Sequence, residues 1–414
     1  MSQSALVTDQ PLLIDGCRTP FQRAGTGFRD LMSYELATAA IRGLLDRTSL
    51  AADAVDRVIL GAIVHNPRAT NVAREAALSA GISPTVPAVT MTAAGVSATV
   101  AISHGLDLIR TGQAEVVIAG GTDCLSDPPI GYRRAMRNKL LAGRRVRGFW
   151  PTLRFALSLR PWDFVPDIPD LTERTTGETM AQFTERLAEE MGIDRQTQDA
   201  YALDSHRRAA AARQRGDLGR EIVGVEMADG AVEVDNGIRE STTMEQLSAL
   251  RPSFDREKGT LTAGNASFLT DGAAVLLLMS PERARALGLA AKAVFRSSAL
   301  TAHDPKSELL LGPVFAIPKA LEACGLAWQD LDVVELHEAF AAQVLAVLEL
   351  LPELPRDRLN AWGGSLALGN PFAPNGARLL TTAAHRLQAE KGRFAVIATC
   401  AGGGLGQAMV LERV

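Results

Sequence analysis

The chain has 414 residues, 47% of them apolar, enough to bury two or three domain-sized cores. A net charge of −4 and a pI near 6.0 lack the basic surplus of a nucleic-acid-binding protein, so no nucleic-acid partner is expected. Neither a signal-type apolar core in the first twenty residues nor an apolar run of membrane-spanning length is present. The four cysteines (Cys17, Cys124, Cys324, Cys400) are widely spaced without a CxxC pair. That pattern points to reduced cytoplasmic thiols and suggests neither a disulfide framework nor a metal site.

In chain order, residues 11–15 read as a strand, 33–47 as a helix, 57–64 as a strand and 71–81 as a helix. A β-run over 86–91 is followed by Thr92-Ala93-Ala94-Gly95-Val96-Ser97-Ala98 and an apolar helix to about Arg110. The continuous apolar run Glu115–Gly121 predicts a strand covered on both faces. Such alternation argues a doubly wound α/β layer. Residues 128–260 break it. Between Pro128 and Trp162 there are nine Lys or Arg and no acid, interleaved with Phe149, Trp150, Phe155 and Trp162. This composition suits an anionic bilayer surface, and a solvated charged loop equally. Helical patterns follow over 178–191 and 195–215, then a turn-rich segment to Lys258.

The alternation resumes with strands over 273–279 and 293–300, a helix over 314–324 and a strand over 331–336. The glycine-rich loop 362–376, a helix over 377–390, a strand over 394–399 and a final strand complete the chain. We read residues 1–127, completed by about 261–281, as one half, 128–260 as an inserted loop domain and 282–414 as a second half. The two ends share a plan of strand, short polar motif, helix and Gly-Gly-bearing strand, which suggests internal duplication.

Four stretches carry candidate chemistry. The turn around Gly95 joins a strand end to a helix start, where free N–H groups point outward, yet it offers no side chain stronger than Thr92 or Ser97. His337-Glu338-Ala339-Phe340 follows a strand, and a His there can donate toward a substrate carbonyl or simply cap the helix. Cys400 precedes Ala-Gly-Gly-Gly, whose N–H groups can lower a thiol's pKa or bind an oxyanion; a buried hydrophobe is the plainer alternative. Ala266 and Ser267, in Thr262-Ala-Gly-Asn-Ala-Ser267, are candidates to hydrogen-bond an amide-bearing arm such as pantetheine, unless they form an ordinary turn.

These motifs, with Arg18-Thr-Pro-Phe21, Ala119-Gly-Gly-Thr-Asp-Cys-Leu-Ser126, Asp235-Asn-Gly-Ile-Arg239, Leu269-Thr-Asp-Gly-Ala273 and Trp362-Gly-Gly-Ser365, resemble the thiolase family from about residue 10 onward. The strongest likeness is to the β-subunit group of fatty-acid-oxidation trifunctional enzymes. The resemblance implies a five-layered αβαβα fold of two similar halves plus a loop domain, as a homodimer or dimer of dimers, with CoA thioesters as substrate or ligand and no bound cofactor. It also allows a fatty-acid-oxidation partner subunit and a peripheral membrane contact through 133–162.

In the family, a cysteine at the start of the buried helix takes the acyl group and a His in Gly-His-Pro activates it. A second cysteine, in Cys-x-Gly, moves the α-carbon proton, and the residue before Glu-Ala-Phe helps build an oxyanion hole. Matched to this chain, those positions are Gly95, Asn370, Cys400 (with Gly402) and His337, and the family's Gly-Ala-Thr-Gly becomes Ala373-Pro374-Asn375-Gly376. The resemblance thus implies that the nucleophile and its activating His are replaced and that the pocket is widened. The oxyanion and proton-transfer half is retained, with the Gly95 N–H as a possible donor. Cys124 is a substitute thiol if the fold brings it to the pocket.

Overall fold

The apolar run near residue 117 forms a strand buried along its whole length, as a pattern without a polar face requires. In the computed structural model, which describes residues 10–167 and 172–414, this strand belongs to a ten-stranded mixed sheet. The strands that frame the site are β1 (Leu12–Arg18), β2 (Arg57–Gly61), β3 (Ala88–Met91), β4 (Val116–Asp123), β5 (Thr270–Met279), β6 (Ala293–Ala302), β7 (Leu331–Leu336), β8 (Phe394–Ala401) and β9 (Leu405–Arg413). Their order across the sheet is β7-β8-β9-β6-β1-β5-β4-β2-β3.

Two similar halves meet in the middle of that order. β3, β2 and β4 run parallel, with β5 antiparallel to β4. β7 and β8 run parallel, with β9 antiparallel to β8. A short ladder, Leu12–Val294 and Leu13–Ala293, joins the halves.

The helices divide this sheet into layers. Those of eight residues or more among the described residues are α1 (Ser33–Thr48), α2 (Val72–Ser79), α3 (Ser97–Arg110), α4 (Arg134–Gly143), α5 (Phe149–Ser158), α6 (Met180–Glu190), α7 (Arg195–Gln214), α8 (Gly312–Cys324), α9 (Ala341–Leu350) and α10 (Asn375–Glu390). The period-2 alternation of the strands assigns their faces. Val116 and Ile118 of β4 pack outward with α1 and α2, whereas Val117 and Ala119 pack inward with α3 and α10. On β8, Val396 and Ala398 face α8 and α9, and Ala395 and Ile397 face the central pair. The result is helix, sheet, helix, sheet, helix.

α3 and α10 pack so closely that a Cβ on Gly376 would lie 2.4 Å from Thr99 Cγ2, so only glycine fits there. α10 is buried on nearly every side from Asn375 to Leu387. Its polar groups therefore need partners: Thr382 Oγ1 donates to Glu221 at 2.8 Å, and Arg386 Nη1 donates to Glu335 at 2.8 Å.

Several elements differ from the sequence expectation. The strand expected to reach Val64 ends at Gly61, because the buried Asp123 carboxylate accepts from the Ile63 and Val64 N–H groups at 2.9 and 2.8 Å and turns the chain away. The glycine-rich loop contains a short helix, Ser365–Leu368. The basic-aromatic stretch folds into α4 and α5. Phe155 packs against Gly143 between them, while Phe149, Trp150 and Trp162 are 73%, 74% and 77% exposed. No helix among the described residues is long and apolar enough to cross a membrane.

Two of the quoted motifs meet in a structural role. Arg18 Nε donates to Glu221 at 2.6 Å, and its Nη1 and Nη2 donate to Asp235 at 2.7 and 2.9 Å. This buried ion cluster pins the segment after α7 to β1.

Candidate functional site

Gly95, His337, Asn370, Cys400 and Gly402 all line one cavity of about 280 Å³, together with Glu173, Met180, Phe372 and Asn375. The fold brings them together because β3, β7 and β8 all end on that side, and the two central helices begin there. The turns that start α3 and α10 each hold a non-glycine residue in the left-handed region, Ala94 at φ 47° and Phe372 at φ 63°. Each costs on the order of 1–2 kcal/mol, a strain that commonly accompanies functional turns.

Gly95 does not open space. A Cβ there would lie 2.8 Å from the Cys400 carbonyl oxygen and 3.3 Å from Ala401 Cβ. The widening expected from a missing side chain does not occur at this end, because the end of β8 closes over the glycine. Nor does a neighbour supply a nucleophile. Ser97 is buried, and its Oγ accepts from the Ala93 N–H at 2.9 Å and donates to the Ala94 carbonyl at 2.6 Å. Thr92 Oγ1 donates to the Ala62 carbonyl. Cys124 belongs to the outer cluster beside α1, its Sγ donating to the Leu31 carbonyl at 3.1 Å. It is not brought to the cavity, because β4 directs it to the outer face.

His337 is buried, and its Nδ1 lies 3.0 Å from Ser365 Oγ. Arg378 Nη2 donates to the same oxygen at 3.0 Å. A guanidinium only donates, so Ser365 Oγ accepts from Arg378. It retains both its own O–H and a second lone pair for Nδ1, a contact that fits either neutral tautomer of the ring. Burial, and then the Arg378 charge, push the imidazole pKa down to about 3. His337 is therefore a neutral hydrogen-bond donor near neutral pH rather than an imidazolium. The adjacent Glu338 anchors this corner by accepting from Tyr201 at 3.0 Å, Ser205 at 2.8 Å, Asn360 at 2.7 Å and the Leu366 N–H at 3.1 Å.

For Cys400 the sequence leaves a lowered pKa, oxyanion binding and a plain buried hydrophobe all open. Burial pushes its thiol up to about 12, and only its own backbone N–H works against this, so the glycine-turn amides do not lower it. It is a thiol that keeps its proton. One of those amides is also committed, since the Gly403 N–H donates to Glu173 Oε1 at 2.9 Å. Gly402 remains at the cavity wall.

Asn370 carries an amide, which cannot act as a base near neutral pH. Its Oδ1 accepts from the Phe372 N–H at 3.1 Å and from Asn375 Nδ2 at 2.6 Å, and its Nδ2 donates to Ser267 Oγ at 3.3 Å. Ser267 thus stands behind the cavity. Ala266 pairs with Phe340, one residue from the lining Ala339.

The thiolase N-terminal domain model matches residues 12–282 and the thiolase C-terminal domain model residues 289–413. The chain belongs to the thiolase family. It is 41% identical over 417 residues to the mitochondrial trifunctional enzyme subunit beta of Homo sapiens, covering 97% of this chain and 88% of that protein. It is 42% identical over 421 residues to a probable 3-ketoacyl-CoA thiolase of Caenorhabditis elegans, covering 97% and 93%. The crystal structure of human mitochondrial 3-ketoacyl-CoA thiolase superposes with a TM-score of 0.88 at 31% identity, covering 99% of this chain and 100% of that one. The same enzyme in complex with CoA gives the same score. The fold is therefore the thiolase fold.

Sequence reading missed Ser365 and Arg378 as the groups behind His337, Asp123 as the carboxylate shaping the Ile63 and Ala373 turns, and Glu173 at the cavity mouth. Arg378 had a signal: an arginine inside the apolar period of a buried helix. Glu173 had none, lying in an irregular polar segment far from the other residues in sequence.

Proposed function

We propose that this thiolase-family protein acts on acyl-CoA thioesters, in the manner of a 3-ketoacyl-CoA thiolase or acetyl-CoA C-acyltransferase, but without a covalent acyl-enzyme at position 95. The observation that carries this is Gly95 itself, a residue with no side chain whose Cβ position is already crowded by Cys400, facing an Asn370 that cannot accept a proton. Removing the nucleophile from a covalent acyl-transfer site costs on the order of a million-fold, about 8 kcal/mol of barrier. In this reading the thioester oxygen takes a hydrogen bond from His337 Nε2–H, with support from the Gly95 N–H. A CoA thiol attacks the 3-keto carbon directly, losing its proton to solvent, and the Cα–Cβ bond breaks to give a new acyl-CoA and an enolate. Cys400 gives its proton to the enolate α-carbon, and the resulting thiolate is reprotonated from solvent. A thiol held protonated by burial suits that direction better than proton abstraction, so cleavage of a bond at the α-carbon is favoured over condensation.

The test is incorporation of solvent deuterium at the α-carbon of acyl-CoA products formed by the protein, read by NMR. Incorporation that disappears in Cys400→Ala is expected. CoA-thioester binding without any incorporation or turnover would instead leave a non-catalytic acyl-CoA-binding subunit of a fatty-acid-oxidation-like complex, a reading that the similarity to a trifunctional enzyme β-subunit supports.

The same reading makes the protein a cytoplasmic homodimer or dimer of dimers in fatty-acid β-oxidation, able to take a partner subunit. The exposed Phe149, Trp150 and Trp162 beside nine basic residues suit contact with an anionic membrane surface.

A further inference from the structure

Among the described residues, Glu173 is the only carboxylate that lines the cavity, and no Lys or Arg lines it to offset that charge. Its position is fixed. Oε1 accepts from the Gly403 N–H at 2.9 Å, and a Cβ built on Gly402 would lie 2.5 Å from the same oxygen. The carboxylate therefore fills the space of a side chain at 402, two residues beyond Cys400. The bond to Gly403 engages Oε1 and leaves acceptor capacity on Oε2. Glu173 is half-buried, so water reaches it at the mouth, whereas Cys400 and His337 are buried. A side chain at position 95 would instead meet the Cys400 carbonyl oxygen and Ala401, so Glu173 serves a nucleophile entering by the mouth.

We infer that this site also hydrolyses 3-ketoacyl-CoA thioesters at the Cα–Cβ bond, with Glu173 as the base that activates water. This rests on the roles given to His337 and Cys400 in the proposed function and adds a second nucleophile to them. Glu173 takes a proton from water as the water oxygen bonds to the 3-keto carbon. The Cα–Cβ bond then breaks, its electron pair passing to the α-carbon as an acyl-CoA enolate, and the former keto carbon leaves as a carboxylic acid. Cys400 protonates the α-carbon. The proton on Glu173 returns through solvent to the Cys400 thiolate, so one water is consumed and both groups are restored. A cavity of about 280 Å³ that already holds a thioester admits water more readily than a second pantetheine arm. A positioned base of this kind contributes roughly a hundredfold to ten-thousandfold in rate.

The experiment is incubation of acetoacetyl-CoA with the full-length protein in water enriched in oxygen-18, without free CoA, followed by mass spectrometry of the products. Acetate carrying an oxygen from the solvent, with an equal amount of acetyl-CoA, is expected. Glu173→Gln keeps an acceptor for the Gly403 N–H and should lower that rate about a hundredfold or more. Cleavage that requires added CoA and yields no labelled acetate would overturn the inference while leaving the proposed function intact. Labelled acetoacetate with free CoA would put the water on the thioester carbon and also overturn it. Hydrolysis at the wild-type rate in Glu173→Gln would overturn the assignment to this residue. No cleavage with or without CoA would overturn the proposed function as well. The labelling pattern of the wild-type protein decides even if the glutamine variant fails to fold.

Discussion

Placing a cysteine at position 95 tests how tightly the site is closed around its glycine. The introduced Cβ would sit 2.8 Å from the Cys400 carbonyl oxygen and 3.3 Å from Ala401 Cβ. Backbone rather than a flexible side chain is the obstacle, so the end of β8 must shift. Overpacking of this kind costs about 1–3 kcal/mol. With roughly 2.1 cal/mol/K of unfolding entropy per residue over 414 residues, that amounts to a fall in melting temperature of about 1–3 °C. The new thiol would also have no base, because the Asn370 amide cannot take its proton. Gly95→Cys incubated with acetoacetyl-CoA should therefore show little acyl adduct in intact-protein mass spectra, and the Gly95→Cys/Asn370→His double variant should acylate at least a hundredfold faster. A single variant that keeps the wild-type melting temperature and acylates as fast as the double variant would refute the reasoning.

Other consequences are separable. His337, with a folded pKa of about 3 against an ordinary value of 6.5, stays neutral while the unfolded chain takes up a proton, so stability is full above pH 6.5 and is lost as pH falls toward 3. Between pH 7 and pH 4.5 its share of the loss should be about 2–3 kcal/mol, seen as a shallower decline of the urea midpoint in His337→Gln; parallel declines would contradict it. Arg18→Met leaves Glu221 and Asp235 buried without their cation and should cost about 3–5 kcal/mol, checked by urea unfolding; a loss under 1 kcal/mol would contradict the anchoring role. Phosphatidylserine vesicles should sediment the protein and phosphatidylcholine vesicles should not, and Trp150→Ser with Trp162→Ser should weaken that binding several-fold; equal sedimentation by both lipids would contradict the membrane reading.

Much of the fold was legible because its strands are buried on both faces. The Glu115–Gly121 run and its counterpart at 394–399 have no polar period to confuse, and their flanking glycines mark the turns. Of the candidate site, the sequence singles out His337, Cys400 and the glycine at 95, and the fold gathers these onto one cavity. What escaped was whatever depends on distant partners. Ser365 and Arg378 become the support of His337 only when α10 packs behind β7. Asp123 ends β2 only because residues 63 and 373 converge on it. The Cys400 pKa was not legible for a similar reason: the local glycine turn allows a lowered value, whereas burial by elements far along the chain pushes it up.

Whether this site forms an acyl-enzyme is most directly decided by intact-protein mass spectrometry of the unmodified protein mixed with acetoacetyl-CoA or a long-chain 3-ketoacyl-CoA. No acyl adduct is expected at any time point, while the thioester still binds. An adduct mapped to Cys400, Cys124 or any other cysteine would contradict it and establish a thiolase with a relocated nucleophile.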